Sequence, residues 1–214
     1  MDEESQSIPA RYPNHVWSID RTIVKRWGLW TTYVLVAIDH YSGTLVYCCP
    51  LEGPNAGWTI SSLEQSVEVY GAPKHIISDQ ESVFTSEAFT EFVNNYDIKH
   101  RLGAVGKHGS IAVTERVIKT LKYEWLKRVT IIKGYDHLDN LCESFVEWYN
   151  EWRPHYRLDG RTPDEVHADR QKEILDRKAK TVIKPGSLFG YTDLIFLLTI
   201  PLQLPHLYTR NTIP

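Results

Sequence analysis

A chain of 214 residues, 42% hydrophobic and 12% aromatic, has the length and apolar content of one ordinary folded domain with an appendage, and its composition is that of a folded globular protein rather than a disordered one. A net charge of −3 excludes a uniformly basic protein, and three cysteines (Cys48, Cys49, Cys142) form neither a disulfide framework nor a paired zinc knuckle. The acidic start Met1-Asp2-Glu3-Glu4 is not that of a secretory signal, and the longest apolar stretch, Leu194 to Leu204, is about half the ~20 residues of a membrane span and contains Pro201. The expectation is a cytoplasmic protein with no membrane partner.

The first ~50 residues read as three strands. They run from Val16 to Val24, from Thr31 to His40 with Val34, Val36 and Ile38 in phase, and from Thr44 to Cys49. Turns at Trp27-Gly28 and Tyr41-Ser42-Gly43 give them the spacing of an antiparallel meander. Pro54 stands where a helix begins, Ile60, Leu63, Val67 and Tyr70 supply its apolar stripe, and Gly71 with Pro73 closes it. His75 to Asp79 reads as a short buried strand, Thr85 to Tyr96 as a helix striped by Phe89, Phe92 and Val93, and Ile98 to Leu102 as a fifth strand.

Three glycines among residues 103–109 lack the Walker spacing and are read as a mobile loop. A helix carrying Glu115 follows, with Val117, Leu121 and Trp125 on its apolar side. A longer helix from Tyr135 to Trp152 places Leu138, Leu141, Phe145, Trp148 and Trp152 in phase, which makes both tryptophans core residues, and Pro154 ends it. This order predicts an α/β fold with a mixed five-stranded sheet and helices on both faces.

Three carboxylates in this pattern are poor structural choices. Asp20 ends the apolar run Val16-Trp17-Ser18-Ile19 within its strand, Asp79 ends the strand from His75, and Glu115 lies in the first turns of a helix. An unpaired buried carboxylate costs several kcal/mol or shifts its pKa, and a hard divalent cation removes that penalty. Residues 96–133 hold nine basic and three acidic side chains, a local excess suited to a phosphate backbone. Lys119 and Lys122 fall at i+4 and i+7 from Glu115, on one helix face. Asp39 also ends a strand but is expected to cap the turn at Tyr41-Ser42-Gly43. Arg153-Pro154-His155 reads as a helix stop with a salt bridge or as a phosphate contact.

Asp20 precedes Asp79 by 59 positions, and 35 residues separate Asp79 from Glu115. Around them stand Val16-Trp17-Ser18-Ile19-Asp20, Ile77-Ser78-Asp79-Gln80 with Phe84-Thr85, His108-Gly109-Ser110 before Thr114-Glu115-Arg116, and Tyr149-Asn150 with Arg153-Pro154-His155. Thr162-Pro163 extends the last motif. Over residues 13–168 this resembles the DDE transposases and retroviral-type integrases, specifically the catalytic core of bacterial insertion-sequence transposases.

The resemblance implies a ribonuclease H-like fold and metal-dependent cleavage and strand transfer on DNA. It implies two Mg²⁺ (or Mn²⁺) ions held by Asp20, Asp79 and Glu115, with Asp20 shared between them and no covalent enzyme intermediate. It implies contacts to DNA from Lys119, Lys122, Arg116, Lys107 and His108. The implied partners are transposon ends, target DNA, further copies of the chain and a separate end-recognition subunit, in a bacterial cytoplasm with association to the nucleoid. A ribonuclease H-like nuclease that only hydrolyses, and an inactive DNA-binding remnant, are the alternatives.

Three features depart from the family pattern. Residues 1–12 read as a short polar arm rather than a DNA-reading domain. Glu81 stands where the family usually has glycine, and a turn needing positive φ would be strained there. Residues 169–214 read as an atypical tail, disordered or decayed, with few basic residues after Val182.

Overall fold

In the computed structural model, residues 8–103 and 110–182 are described. The chain divides into two compact units, residues 1–171 and 172–214. The first unit is built on five strands: β1 Val16–Arg26, β2 Trp30–Asp39, β3 Leu45–Pro50, β4 His75–Ser78 and β5 Lys99–Leu102. The helices are α1 Ala56–Tyr70, α2 Glu87–Asn95, α3 Ser110–Lys119, α4 Tyr135–Glu147 and α5 Pro163–Val182.

Strand order is β3-β2-β1-β4-β5. β1, β2 and β3 pair antiparallel, while β4 and β5 add in parallel beside β1. The β1–β2 turn uses Trp27 and Gly28, both with positive φ, which suits the twist of a tight hairpin. The parallel additions need crossovers, which α1 and α2 provide.

Side chains alternate across the sheet, so each strand serves two cores. Trp17, Ile19, Leu35 and Ile76 pack with Leu63, Phe89 and Phe92 under α1 and α2. Val24, Val34, Val36 and Ile38 pack with Val117, Leu121, Leu138 and Phe145 under α3 and α4. Covering both faces explains why Val16–Ile19 and Val34–Asp39 are buried without a polar alternation.

Two helices end in π-helical turns rather than continuing as α-helix. α3 passes into Thr120–Trp125 and α4 into Trp148–Trp152. The wider turn rotates the residues that follow it. Trp148 therefore stays half-buried and stacks on Trp125, with ring centres 5.2 Å apart, whereas Trp152 is 69% exposed and is not the core residue its α-helical phase predicts. Arg153 ties the two π turns together, bonding Thr120 Oγ1 at 3.2 Å and pairing with Glu124 at 3.2 Å.

The backbone from Pro163 to Val182 is helical, so 169–182 does not begin an irregular tail. A charge-rich stretch of low mean hydropathy with no apolar period gave no helix signal, and Thr162 with Glu165 supplies the start: the Thr162 hydroxyl accepts from Glu165 N–H, and the Glu165 carboxylate from Thr162 N–H. Residues 183–214, with the rest of that tail, lie outside the described residues, as does the glycine-rich stretch from 104 to 109. Among the described residues no helix is long and apolar enough to cross a membrane.

Candidate active site

The parallel pairing of β1 with β4 brings two of the acids to one place. Its register runs Val16↔His75, Trp17↔Ile76 and Ser18↔Ile77, and Asp20 and Asp79 each stand two residues beyond the last pair. Ser18 and Asp20 share a strand face, and the Ser18 hydroxyl shares a hydrogen bond with Thr114 on α3. Asp20 thus belongs to the α3 side of the sheet, and Glu115 follows Thr114 directly.

The Asp20 carboxyl feels the charge of the other acids. Its carboxyl is pushed from the ordinary 3.8 up to about 7, chiefly by burial, then by the charge of Asp79, with smaller contributions from Glu81 and Glu115. Only the hydrogen bond from the Arg21 N–H, at 2.7 Å, works in the other direction. Asp79 accepts from the Glu81 N–H at 3.1 Å. Among the described residues no three acidic, histidine or cysteine side chains stand close enough together to hold a metal ion. The acids are therefore neighbours around Asp20 without a closed ligand cage, and Glu115 is exposed on α3.

Buried hydroxyls anchor the segments that carry the acids. Ser18 also meets His40 Nε2 at 2.8 Å, which makes a chain from His40 through Ser18 to Thr114. Ser78 donates to the Asp79 carbonyl at 2.9 Å, so His100 Nε2 at 2.8 Å acts as donor to the Ser78 hydroxyl. Gly103 closes β5 against α3, where a Cβ would strike the Ile111 side chain.

The other predicted residues are less concentrated. Arg116 and Lys119 are exposed on α3, and Lys122, in the π turn, is half-buried. The wider turn moves Lys122 off the α-helical line expected from Glu115. Lys107 and His108 lie outside the described residues. Asp39 is fully buried, accepting from Asn14 N–H at 3.0 Å, Ser42 N–H at 2.8 Å and the Ser42 hydroxyl at 2.7 Å, which is the turn-capping role read from its sequence.

Glu81 departs from its expectation. Among the described non-glycine residues only Asn14, Trp27, Asp97 and Asp159 have positive φ, so Glu81 carries no left-handed strain. Its side chain pairs with Arg21 at 2.7 Å. Neither Arg21, His40 nor His100 was singled out from sequence. Arg21 had a signal: a cation inside an apolar strand needs a partner.

Two models, both described as integrase core domain, match residues 10–108 and 96–163. The chain belongs to the integrase core domain family. Similar curated proteins include the Gag-Pro-Pol polyprotein of Mason-Pfizer monkey virus, 31% identical over 167 residues, covering 69% of this chain and 9% of that protein. The Gag-Pro-Pol polyprotein of human T-cell leukemia virus 2 is 32% identical over 117 residues, covering 53% of this chain and 8% of that protein. An uncharacterized protein of Caenorhabditis elegans is 28% identical over 79% of this chain and 13% of its own length. The chain thus spans about a tenth of the length of the curated relatives it matches.

Solved integrase cores share the fold. The HTLV-2 integrase catalytic core domain in complex with magnesium, in its trimeric form, aligns with a TM-score of 0.60 at 26% identity, over 74% of this chain and 99% of that one. A simian T-cell lymphotropic virus intasome in complex with a PP2A regulatory subunit aligns with a TM-score of 0.62 at 21% identity, over 78% of this chain and 60% of that one. The integrase core fold, ribonuclease H-like with a mixed five-stranded sheet, is the one this chain adopts.

Proposed function

We propose that this chain is the catalytic core of a DDE-type transposase or integrase, which cuts and joins DNA strands through Asp20, Asp79 and Glu115. The observation that carries the reading is the parallel register of β1 with β4, which sets Asp20 and Asp79 at matching positions on adjacent strands beside the helix of Glu115, with the Asp20 carboxyl pushed up to about 7 by burial and by those acids. Such a site is unfavourable as an empty cluster of anions and becomes favourable around a cation.

The chemistry of the donor set suits a divalent metal, which would have to draw the three acids closer together than they stand in the structure. The set is made of carboxylate oxygens, with no thiolate or imidazole assigned to it, and hard oxygen donors suit Mg²⁺ or Mn²⁺. Asp20, Asp79 and Glu115 would hold it, and Asp20, at the centre of the repulsion, is the residue to be shared if two ions bind. A bound cation supplies charge that lowers the pKa of an attacking hydroxyl and stabilises the departing oxygen. The backbone N–H groups of Arg21 and Glu81 each take one oxygen of Asp20 and Asp79, which limits how those carboxylates can rotate. In the reaction, water or a 3′-hydroxyl forms a bond to phosphorus as the bond to the leaving 3′-oxygen breaks. No protein nucleophile is required.

Arg116, Lys119 and Lys122 extend from Glu115 along the same helix and its π turn, and we assign them to the DNA backbone beside the scissile phosphate. Lys107 and His108 are proposed for the same strand from their place in the sequence. The dimeric and trimeric forms of the HTLV-2 core, and the intasome, support a homo-oligomer on DNA. The insertion-sequence origin is part of the same proposal, supported by the resemblance around Tyr149-Asn150 and Arg153-Pro154-His155; a separate end-recognition subunit and a bacterial nucleoid setting would go with that origin.

The test is incubation of the chain with pre-cut, labelled DNA ends and Mn²⁺. Joined products that vanish in Asp79→Asn support strand transfer. Nicked but never joined DNA supports a nuclease that only hydrolyses. Absence of Asp79-dependent Mn²⁺ uptake would sink the reading.

A further inference from the structure

Arg21 sits inside β1 directly after Asp20, where an unpaired cation would carry a desolvation penalty. Its side chain is 6% exposed, and two nitrogens of its fork have hydrogen-bond partners. Nε donates to Glu81 Oε2 at 2.7 Å, and Nη1 donates to the Pro54 carbonyl at 2.8 Å. The guanidinium lies 4.8 Å from the centre of the Tyr33 ring and 6.0 Å from that of Phe84. Strand, loop and aromatic floor thus hold it in one orientation.

The backbones of the same two residues hold the acids. Arg21 N–H donates to Asp20 Oδ1, and Glu81 N–H donates to Asp79 Oδ1. Asp79 lies past the last residue of β4, so no ladder bond of its own secures it. The side-chain ion pair therefore joins the two backbone segments on which the two carboxylates are mounted. We propose that Arg21 and Glu81 form a positioning brace that sets the separation of Asp20 and Asp79 for a divalent cation. This rests on the reading of those acids as metal ligands. Glu81 is not a fourth ligand in this arrangement, because its Oε2 is committed to Arg21 at charge-assisted hydrogen-bond distance.

Charge and bracing make different predictions, which gives the experiment its power. Mn²⁺ binding to the full chain is measured by calorimetry and by the Mn²⁺ paramagnetic resonance spectrum, for Arg21→Gln, Glu81→Gln and the double variant. If charge alone matters, losing Arg21 removes a positive neighbour and tightens Mn²⁺ binding, while losing Glu81 weakens it. The brace requires both single variants to weaken binding, by about tenfold, as loss of a residue supporting a metal ligand commonly does. It also requires the double variant to be no weaker than the worse single, because one interaction is lost in all three.

Opposite signs for the two singles, or additive losses in the double, overturn the brace. So does Glu81→Gln abolishing uptake as Asp79→Asn does, which would make Glu81 a ligand. Thermal unfolding without metal separates these effects from general damage, and Arg21→Lys replaces Arg21→Gln if the latter fails to fold. Lysine keeps the charge and loses the fork, so the brace still expects weaker binding, and unchanged binding counts against it. A wild-type chain with no Asp79-dependent Mn²⁺ uptake is a distinct result that overturns the metal-site reading and the brace together.

Discussion

Asp20 and Asp39 are aspartates on neighbouring antiparallel strands, the first half-buried and the second fully buried, and the structure treats them in opposite ways. Asp39 is met by donors: two backbone N–H groups and a hydroxyl, all within 3.0 Å. Burial still raises its pKa, and those donors oppose the rise. Asp20 is met by one backbone N–H and three other carboxylates. A carboxylate employed by the fold is surrounded by hydrogen-bond donors; one proposed for a cation is surrounded by other carboxylates. The difference agrees with the sequence context, which gives Asp39 to the turn at Tyr41-Ser42-Gly43.

The largest expected effect tests the chemical side. Asp20→Asn keeps the shape and removes the charge, and should lower strand cleavage and joining by about 10³-fold or more, the scale of several kcal/mol of lost charge stabilisation. Gel assays with labelled ends measure it. The same substitution should raise the thermal midpoint of the metal-free chain, since it relieves repulsion and burial of charge. A fall in that midpoint would break the contrast.

The structural side should show the reverse. Asp39→Ala strands the donors of Asn14 and Ser42 in a buried turn and should cost about 2–4 kcal/mol by urea unfolding, through unsatisfied groups. Loss of activity in proportion to that instability, with Mn²⁺ uptake intact in the folded fraction, sharpens the comparison. Mn²⁺ uptake that depends on Asp39 in a stable variant would break it.

The pH dependence has a definite sign. Asp20 has a folded pKa near 7, above its ordinary 3.8, so its contribution is present below the carboxylate range and is lost as pH rises through about 7. His167 is lowered to about 4 by burial, so its contribution is present above 6.5 and is lost as pH falls towards 4. Asp164, raised to about 6, shares the sign of Asp20 at lower pH. From about pH 4 to about 7 the metal-free wild-type chain should therefore lose stability relative to Asp20→Asn, and saturating Mg²⁺ should shrink that difference. Thermal midpoints across that window decide it.

The smallest effect concerns the cationic helix. Lys119→Ala should weaken DNA binding a few-fold and reduce the salt dependence of log affinity by about one unit, if Lys119 contacts one phosphate. An unchanged salt slope in fluorescence anisotropy would remove Lys119 from the interface.

Much of this protein is local in origin. The alternation in Val34, Val36 and Ile38, the helical spacing of Ile60, Leu63 and Val67, and the turn chemistry of Tyr41-Ser42-Gly43 specify their elements without distant help. The spacing and context of Asp20, Asp79 and Glu115 were readable for the same reason, since each motif is a few contiguous residues. Other features were not legible because they depend on partners far away in the chain. The π turns after Lys119 and Glu147, which turn Trp152 outward, are held together by Arg153 reaching back to Thr120 and Glu124. The pairing of Arg21 with Glu81 spans 60 residues and exists only because β4 adds in parallel beside β1. Sequence alone determined which acids the chain would offer and the elements that carry them. Tertiary structure decided which acids face donors and which face one another, because burial and charge are properties of neighbours in space.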